Sequence, residues 1–290
     1  MSRKACTAFL REMGKRSYIV VLLVLLSPIA YAERHDIHAE ADRPGVGTGT
    51  NILDRGFIQW ETGFEGVRVT GLHEVTLPTS LFRFGLGEWA ELRLEYSGVL
   101  TVEDKSLKVG YSTEPLWIGS KIRLWKGFEE PERKWIPRSS LLLNLGVPLT
   151  KVQAQSQPVW GMIDALFEND LADWLTIGYD VGVRWMNPTP IPDVFASLGF
   201  NFMPTERLGV FVESYNTFTP DAVDADDLKH KHTIYDVNLD FGVTYMVHPH
   251  VQIDAYAGFN LYHSHPSLST PVNHAFFGLG VTWLLLHPGI

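Results

Sequence analysis

Between Phe57 and Leu285 the chain repeats segments of about ten residues in which apolar and polar side chains alternate, the period that sends successive side chains to opposite faces of a strand. In Tyr235 to Tyr245 the odd positions are Tyr, Val, Leu, Phe, Val and Tyr, whereas the even ones are Asp236, Asn238, Asp240, Gly242 and Thr244. Leu175 to Trp185 sets Leu175, Ile177, Tyr179, Val181, Val183 and Trp185 against Thr176, Gly178, Asp180, Gly182 and Arg184. Val251 to Leu261 repeats the arrangement, with Ile253, Ala255, Ala257 and Phe259 opposite Gln252, Asp254, Tyr256, Gly258 and Asn260. Shorter versions run through Leu92, Leu94 and Tyr96 against Glu91, Arg93 and Glu95, and through Ile118, Ile122 and Leu124 against Lys121 and Arg123.

The alternation predicts strands over 57–68, 73–85, 90–100, 115–125, 137–148, 158–169, 174–186, 193–203, 207–217, 233–246, 250–261 and 273–285. Tight turns at Gly87-Glu88, Ala172-Asp173, Pro204-Thr205-Glu206 and His248-Pro249 alternate with longer connections near 101–114, 149–157, 187–192, 218–232 and 262–272. That asymmetry suits a membrane barrel, whose short turns face the periplasm and whose long loops face outward. Two connections fit less well: Lys126 to Ile136 is long for a periplasmic turn, and the first outer loop near Thr70 is short.

Alternation alone also suits a soluble sandwich or lipocalin-like barrel, with the apolar face turned inward. The N-terminus bears on the choice. Arg3, Lys4, Arg11, Lys15 and Arg16 precede an apolar run from Tyr18 to Leu26, which ends in Ala30-Tyr31-Ala32. A basic region, an apolar run and a small-x-small site make a secretory signal peptide, with cleavage expected after Ala32. No later stretch has the roughly 20 apolar residues of a membrane-spanning helix. Together with the aromatic bracketing of the apolar faces and the glycines on the polar ones, this predicts an all-β fold: a transmembrane antiparallel up-and-down β-barrel of about 12 strands. The expected organisation is a signal peptide at 1–32, an N-terminal periplasmic or lumenal segment at 33–56, and the barrel at 57–290.

Cleavage removes five basic residues and one acidic residue, leaving 19 basic against 32 acidic and a formal charge of −13. Such an acidic chain is a poor nucleic-acid binder. Cys6, the single cysteine, lies in the leader, so neither a disulfide nor a thiol nucleophile belongs to the mature chain. The expected partners are outer-membrane lipid, the barrel-assembly machinery and a small permeant.

The segment Glu40-Ala41-Asp42-Arg43-Pro44-Gly45, followed by Gly56-Phe57-Ile58-Gln59-Trp60-Glu61-Thr62-Gly63-Phe64, resembles the opening of the "MetA-pathway of phenol degradation" family of outer-membrane transporters. The resemblance continues through Thr76-Leu77-Pro78, Leu81-Phe82-Arg83-Phe84-Gly85-Leu86, Gly119-Ser120-Lys121, Leu145-Gly146-Val147-Pro148, Glu206 to Glu213 and Gln252-Ile253-Asp254. It implies a barrel that passes small aromatic or hydrophobic molecules. Two departures stand out: Ala41 replaces a commoner threonine, and the chain ends at Ile290 without the terminal aromatic that assembly machinery usually reads.

Under the alternation, the inward charges are Glu61, Glu65, Arg83, Glu91, Arg93, Glu95, Lys121, Arg123, Asp164, Asp180, Arg184, Glu213, Asp236, Asp240 and Asp254. They read either as a selectivity lining or as ion pairs that fill and stabilise a narrow barrel. Asp42 and Arg43 are candidates for a plug, because an acidic lumen offers partners to the guanidinium fork; the alternative is a disordered glycine-rich tail. His230, His232, His263 and His265 have the donor type for zinc, copper or nickel, but solvated loop histidines are far commoner, and no metal or cofactor is assigned. His265-Pro266-Ser267 has the spacing of a hydrolase pair, yet no acidic residue lies close in sequence to orient it. The expectation is a channel and not an enzyme, with a non-conducting structural barrel or adhesin as the alternative and an outer-membrane lipid hydrolase as the least favoured one.

Overall fold

The computed structural model describes residues 38–69, 72–103, 108–127, 135–151, 153, 160–185, 191–223, 231–264 and 273–286. Within them lie β1 (Ile58–Val69), β2 (Leu72–Gly87), β3 (Ala90–Glu103), β4 (Val109–Thr113), β5 (Leu116–Trp125), β6 (Arg138–Val147) and β7 (Trp160–Ala172). They are followed by β8 (Leu175–Trp185), β9 (Asp193–Phe202), β10 (Leu208–Val223), β11 (Lys231–His248), β12 (Val251–His263) and β13 (Asn273–Leu286). Every pairing is antiparallel and, β3 with β5 apart, joins neighbours in the chain, and β1 closes on β13 with Thr62 opposite Val281 and Gly63 opposite Gly280. Among the described residues every strand but the short β4 has a partner on both sides, which is what a bilayer demands of strands.

β4 and β5 form one stave between them. Both pair with β3, β4 along Gly98–Val102 and β5 along Ala90–Glu95. Pro115, which lacks a backbone donor, lies in the break between them, while Glu114 keeps the run in line by donating its N–H to the Ser97 carbonyl at 2.9 Å. The barrel thus has twelve staves, at the positions that the alternation predicts. Pro78 acts similarly in β2, where the register slips against both neighbours between Thr76 and Thr79.

The side chains are distributed inside out. Gln59, Glu61, Arg83, Glu91, Lys121 and Asp240 are fully buried, whereas Val181, Phe241, Leu279 and Trp283 are about half exposed. An exterior of that kind is stable only against lipid, where the apolar band is solvated by acyl chains. Trp89, Trp174 and Trp283 ring the end at which β1 begins and β13 ends, the terminal end, and Tyr111, Tyr235 and Tyr262 ring the other, the interfacial positions that amphipathic rings favour.

Two expected outer loops prove to be mostly barrel wall. β3 continues to Glu103 and β4 begins at Val109, while β10 continues to Val223 and β11 begins at Lys231. The alternation fades there because the outward face no longer meets lipid, but backbone pairing continues without it.

Candidate functional site

The lumen is occupied by the residues that precede β1. Entry is at the terminal end, where the Ala39 N–H donates to the Pro249 carbonyl at 2.8 Å. Ala39, Leu53, Phe57 and Leu284 then make a small apolar cluster at this mouth. Glu40 pairs with the Gln59 side chain in both directions: its N–H donates to Oε1 at 3.1 Å and its carbonyl accepts from Nε2 at 2.7 Å. The Glu61 carboxylate next accepts the N–H groups of Asp42 and Arg43, each at 3.1 Å.

From there the chain crosses the lumen. The N–H groups of Val46 and Gly47 donate to the two oxygens of Glu213 on β10, at 2.9 and 2.7 Å. Gly45 adopts φ +105°, a conformation that side chains rarely allow, and a Cβ on Gly47 would sit 2.3 Å from the Glu213 carboxylate. Glycine at these two positions is what lets the tip reach the wall. The return path is held by Thr50, which donates to Glu168 and accepts from the Ser140 hydroxyl at 2.7 Å. Lys121 Nζ donates to the carbonyls of Gly49 and Asn51, at 2.8 and 3.1 Å. Leu53 N–H donates to Glu91 at 2.9 Å before the chain enters β1.

Asp42 is the centre of the electrostatics. Its carboxylate contacts Arg93, lies 2.8 Å from Lys121 Nζ and 3.7 Å from Arg83. Arg83 in turn pairs with Glu91 at 2.8 Å and Glu61 at 3.2 Å, and Arg93 pairs with Glu91 at 3.0 Å. Three cations thus balance three carboxylates, the arrangement under which buried charge is tolerable. Burial by itself would raise the Asp42 pKa; the charges of Arg83, Lys121 and Arg93 overcome it and hold the carboxyl well below the usual range. The neighbouring Arg43 donates to Thr79 at 2.9 Å, lies 3.5 Å from Asp254 and stands 5.9 Å from the Tyr256 ring centre.

The other inward positions named from the alternation are dispersed. Glu95 lies 3.7 Å from Arg93 with a third of its side chain exposed. Arg123 sits at the terminal rim, donating to the Glu88 carbonyl at 2.6 Å. Asp164 is buried on β7, and Asp180 accepts the Ser197 N–H at 3.1 Å. Arg184 stands 3.7 Å from Asp193 and 5.7 Å from the Phe195 ring centre. Asp236 contacts His263 at 2.6 Å, while Asp240 is fully buried and, among the described residues, neither of its carboxylate oxygens has a hydrogen-bond partner. Among the described residues no group of three metal-ligating side chains gathers; His230, His265, Pro266 and Ser267 lie outside them. Sequence reasoning did not name as inward Gln59 and Glu168, which share the parity of named neighbours, nor Ser140, nor the rings of Tyr215 and Phe276; Tyr256 lies on the polar face that the alternation assigns to it.

Two cavities flank the crossing segment. One of about 330 Å³ lies toward the terminal end between the segment and Glu168, Asp180, Ser197, Glu213 and Thr244. The other, of about 280 Å³, lies against Glu61, Thr79, Arg93, Glu95 and Met162.

A closed barrel with an apolar, aromatic-girdled exterior and a charged, chain-filled interior is an outer-membrane β-barrel protein. This chain belongs to the family described as "Putative MetA-pathway of phenol degradation", whose profile matches residues 41–268. The fold resembles the crystal structure of an outer membrane channel from Pseudomonas putida F1, with TM-score 0.62 and 8% identity over 84% of this chain and 100% of that one. It also resembles the NanC porin, with TM-score 0.50 and 7% identity over 79% of this chain and 100% of that one. A sequence search of the curated proteins finds no match.

Proposed function

We propose that the protein is an outer-membrane channel for small molecules, in which residues 38–57 form a plug that constricts the lumen. The observation that carries this reading is the segment hydrogen-bonded across the barrel from Glu61 to Glu213 with a cavity on either side. A barrel with a purely structural role has no need of a separate chain segment buried against its charged wall. Under this reading Asp42 is the clamp, and Glu61, Arg83, Glu91, Arg93, Lys121 and Glu213 serve as lining and as plug receptors.

Export relies on the leader at 1–32 with cleavage near Ala32, which leaves the mature chain to begin a few residues before the plug. The permeants we favour are small aromatic molecules: the family description refers to phenol degradation, and Tyr215, Tyr256 and Phe276 supply an inward aromatic surface. Channel activity, not catalysis, is the role that this lumen supports.

The test is reconstitution of the purified barrel in planar bilayers, with ion conductance and liposome uptake of phenol measured alongside. A resolvable conductance that grows when residues 40–51 are deleted supports the proposal. Silence from both forms rejects it in favour of a non-conducting structural barrel.

A further inference from the structure

The basic side chains of the lumen wall are confined to one part of it. Basic side chains come from β2, β3, β5, β6 and β8 as Arg83, Arg93, Lys121, Arg138 and Arg184. The described inward positions of β10 to β13 hold Glu213, Asp236, Asp240 and Asp254 and neither lysine nor arginine. Three of these carboxylates are occupied: Glu213 by the plug tip, Asp236 by His263 and Asp254 by Arg43. Asp240 is not. It is fully buried and, among the described residues, neither oxygen has a hydrogen-bond partner, a condition that is costly until a proton or a cation relieves it.

What surrounds Asp240 narrows the choice of cation. Its Cβ and the Phe276 ring both border Gly258, 2.7 and 2.2 Å from where a side chain would begin. Phe276 lies 6.1 Å from Tyr215 and 6.3 Å from Tyr256, ring centre to centre, and the Tyr256 hydroxyl donates to Glu65 at 2.6 Å. Across the sheet, Asp240 faces Glu213 in register. A bare metal ion would need six or so oxygen ligands, which aromatic neighbours do not supply. A cationic nitrogen on an apolar body matches a carboxylate set among ring faces.

We propose that Asp240, flanked by Phe276, Tyr215 and Tyr256, binds a small organic ammonium ion during its passage through the lumen. This rests on the channel reading and names a substrate class for it. The ion sits within one register pair of the carboxylate that holds the plug tip. The described inward positions of β10 to β13 carry no lysine or arginine to repel it, and the plug's Arg43 stands at Asp254 and the far flanking ring, Tyr256.

The experiment uses the full mature barrel and three ring-matched probes: 2-phenylethylammonium, phenylacetate and neutral benzyl alcohol. Equilibrium binding is measured on detergent-solubilised protein by calorimetry, and current block in planar bilayers. We expect the ammonium to bind and block, with affinity falling about tenfold or more in Asp240→Asn and Phe276→Leu, and the other two probes to bind weakly. Unchanged ammonium binding in Asp240→Asn, equal binding of phenylacetate, or no binding to the native barrel because Asp240 keeps a proton, would each overturn the site. If Asp240→Asn does not fold to a heat-modifiable barrel, Phe276→Leu and Tyr215→Leu decide by the same criterion. Binding without conductance would reject the channel and keep the site; conductance without binding would do the reverse.

Discussion

Replacing Asp42 with asparagine removes one charge from a balanced cluster and nearly no volume. Three cations, Arg83, Arg93 and Lys121, would then face two carboxylates, Glu61 and Glu91. Breaking a buried ion pair by removing one partner costs about 3 to 5 kcal/mol. Here the lower end applies, because Lys121 keeps the carbonyls of Gly49 and Asn51, and Arg93 keeps Glu91. At about 1.4 kcal/mol per factor of ten, a loss of roughly 3 kcal/mol multiplies the undocked population of the plug about a hundredfold. Glu61 and Glu213 still hold the backbone at both sides of the lumen, so the docked form still predominates. Single-channel recording should therefore show brief openings from the native conductance to the level of the 40–51 deletion, far more often than in the native protein. A D42N record indistinguishable from the native one, beside a deletion that does conduct more, would refute Asp42 as the clamp.

Other consequences follow from the same geometry. Gly47→Val sets a side chain against Glu213 and Ser197, so conductance should rise toward the deletion level; no change would mean that the tip contact does not restrain the plug. Arginine at Val181 or Val243 should destabilise the barrel by about 2 to 4 kcal/mol near the bilayer midplane, whereas Thr244→Arg, facing the larger cavity, should cost far less; urea unfolding in lipid vesicles compares them, and equal costs would reject the facing assignment. Acidification provides a further check. Asp42 is held well below the usual range by Arg83, Lys121 and Arg93, against the opposing effect of burial, so its contribution to docking is present above the ordinary carboxylate pKa of about 3.9 and is lost only as pH falls through the lower folded value. Glu40, raised by burial, gains a proton more readily when docked, which favours docking as pH falls. Conductance should then stay flat from pH 7 to about 4, and opening near pH 5 to 6 would contradict this assignment.

Strand number, facing and the closed barrel were legible in the chain because each depends on a period of two. Tyr235 to Tyr245 cannot reverse its faces without putting Asp236 and Asp240 into lipid, so local alternation and global architecture carry the same information. The N-terminal pattern that predicts a leader, with the single cysteine Cys6 inside it, is likewise local. The contacts of Asp42 are not local: its partners Arg83, Arg93 and Lys121 belong to three strands, and only closure of the barrel brings them together. Residues 45–49 read as a glycine-rich tail until Glu213, more than 160 positions away, supplies an acceptor for two of their N–H groups. Inner glycines mislead for a similar reason. Gly258 and Gly278 suggest open lumen, yet the rings of Phe276 and Tyr256 from adjoining strands occupy the space. Parity tells which face a side chain takes; which partner it meets there depends on stagger and curvature, and the unpaired state of Asp240 emerges only when every inward neighbour has its place.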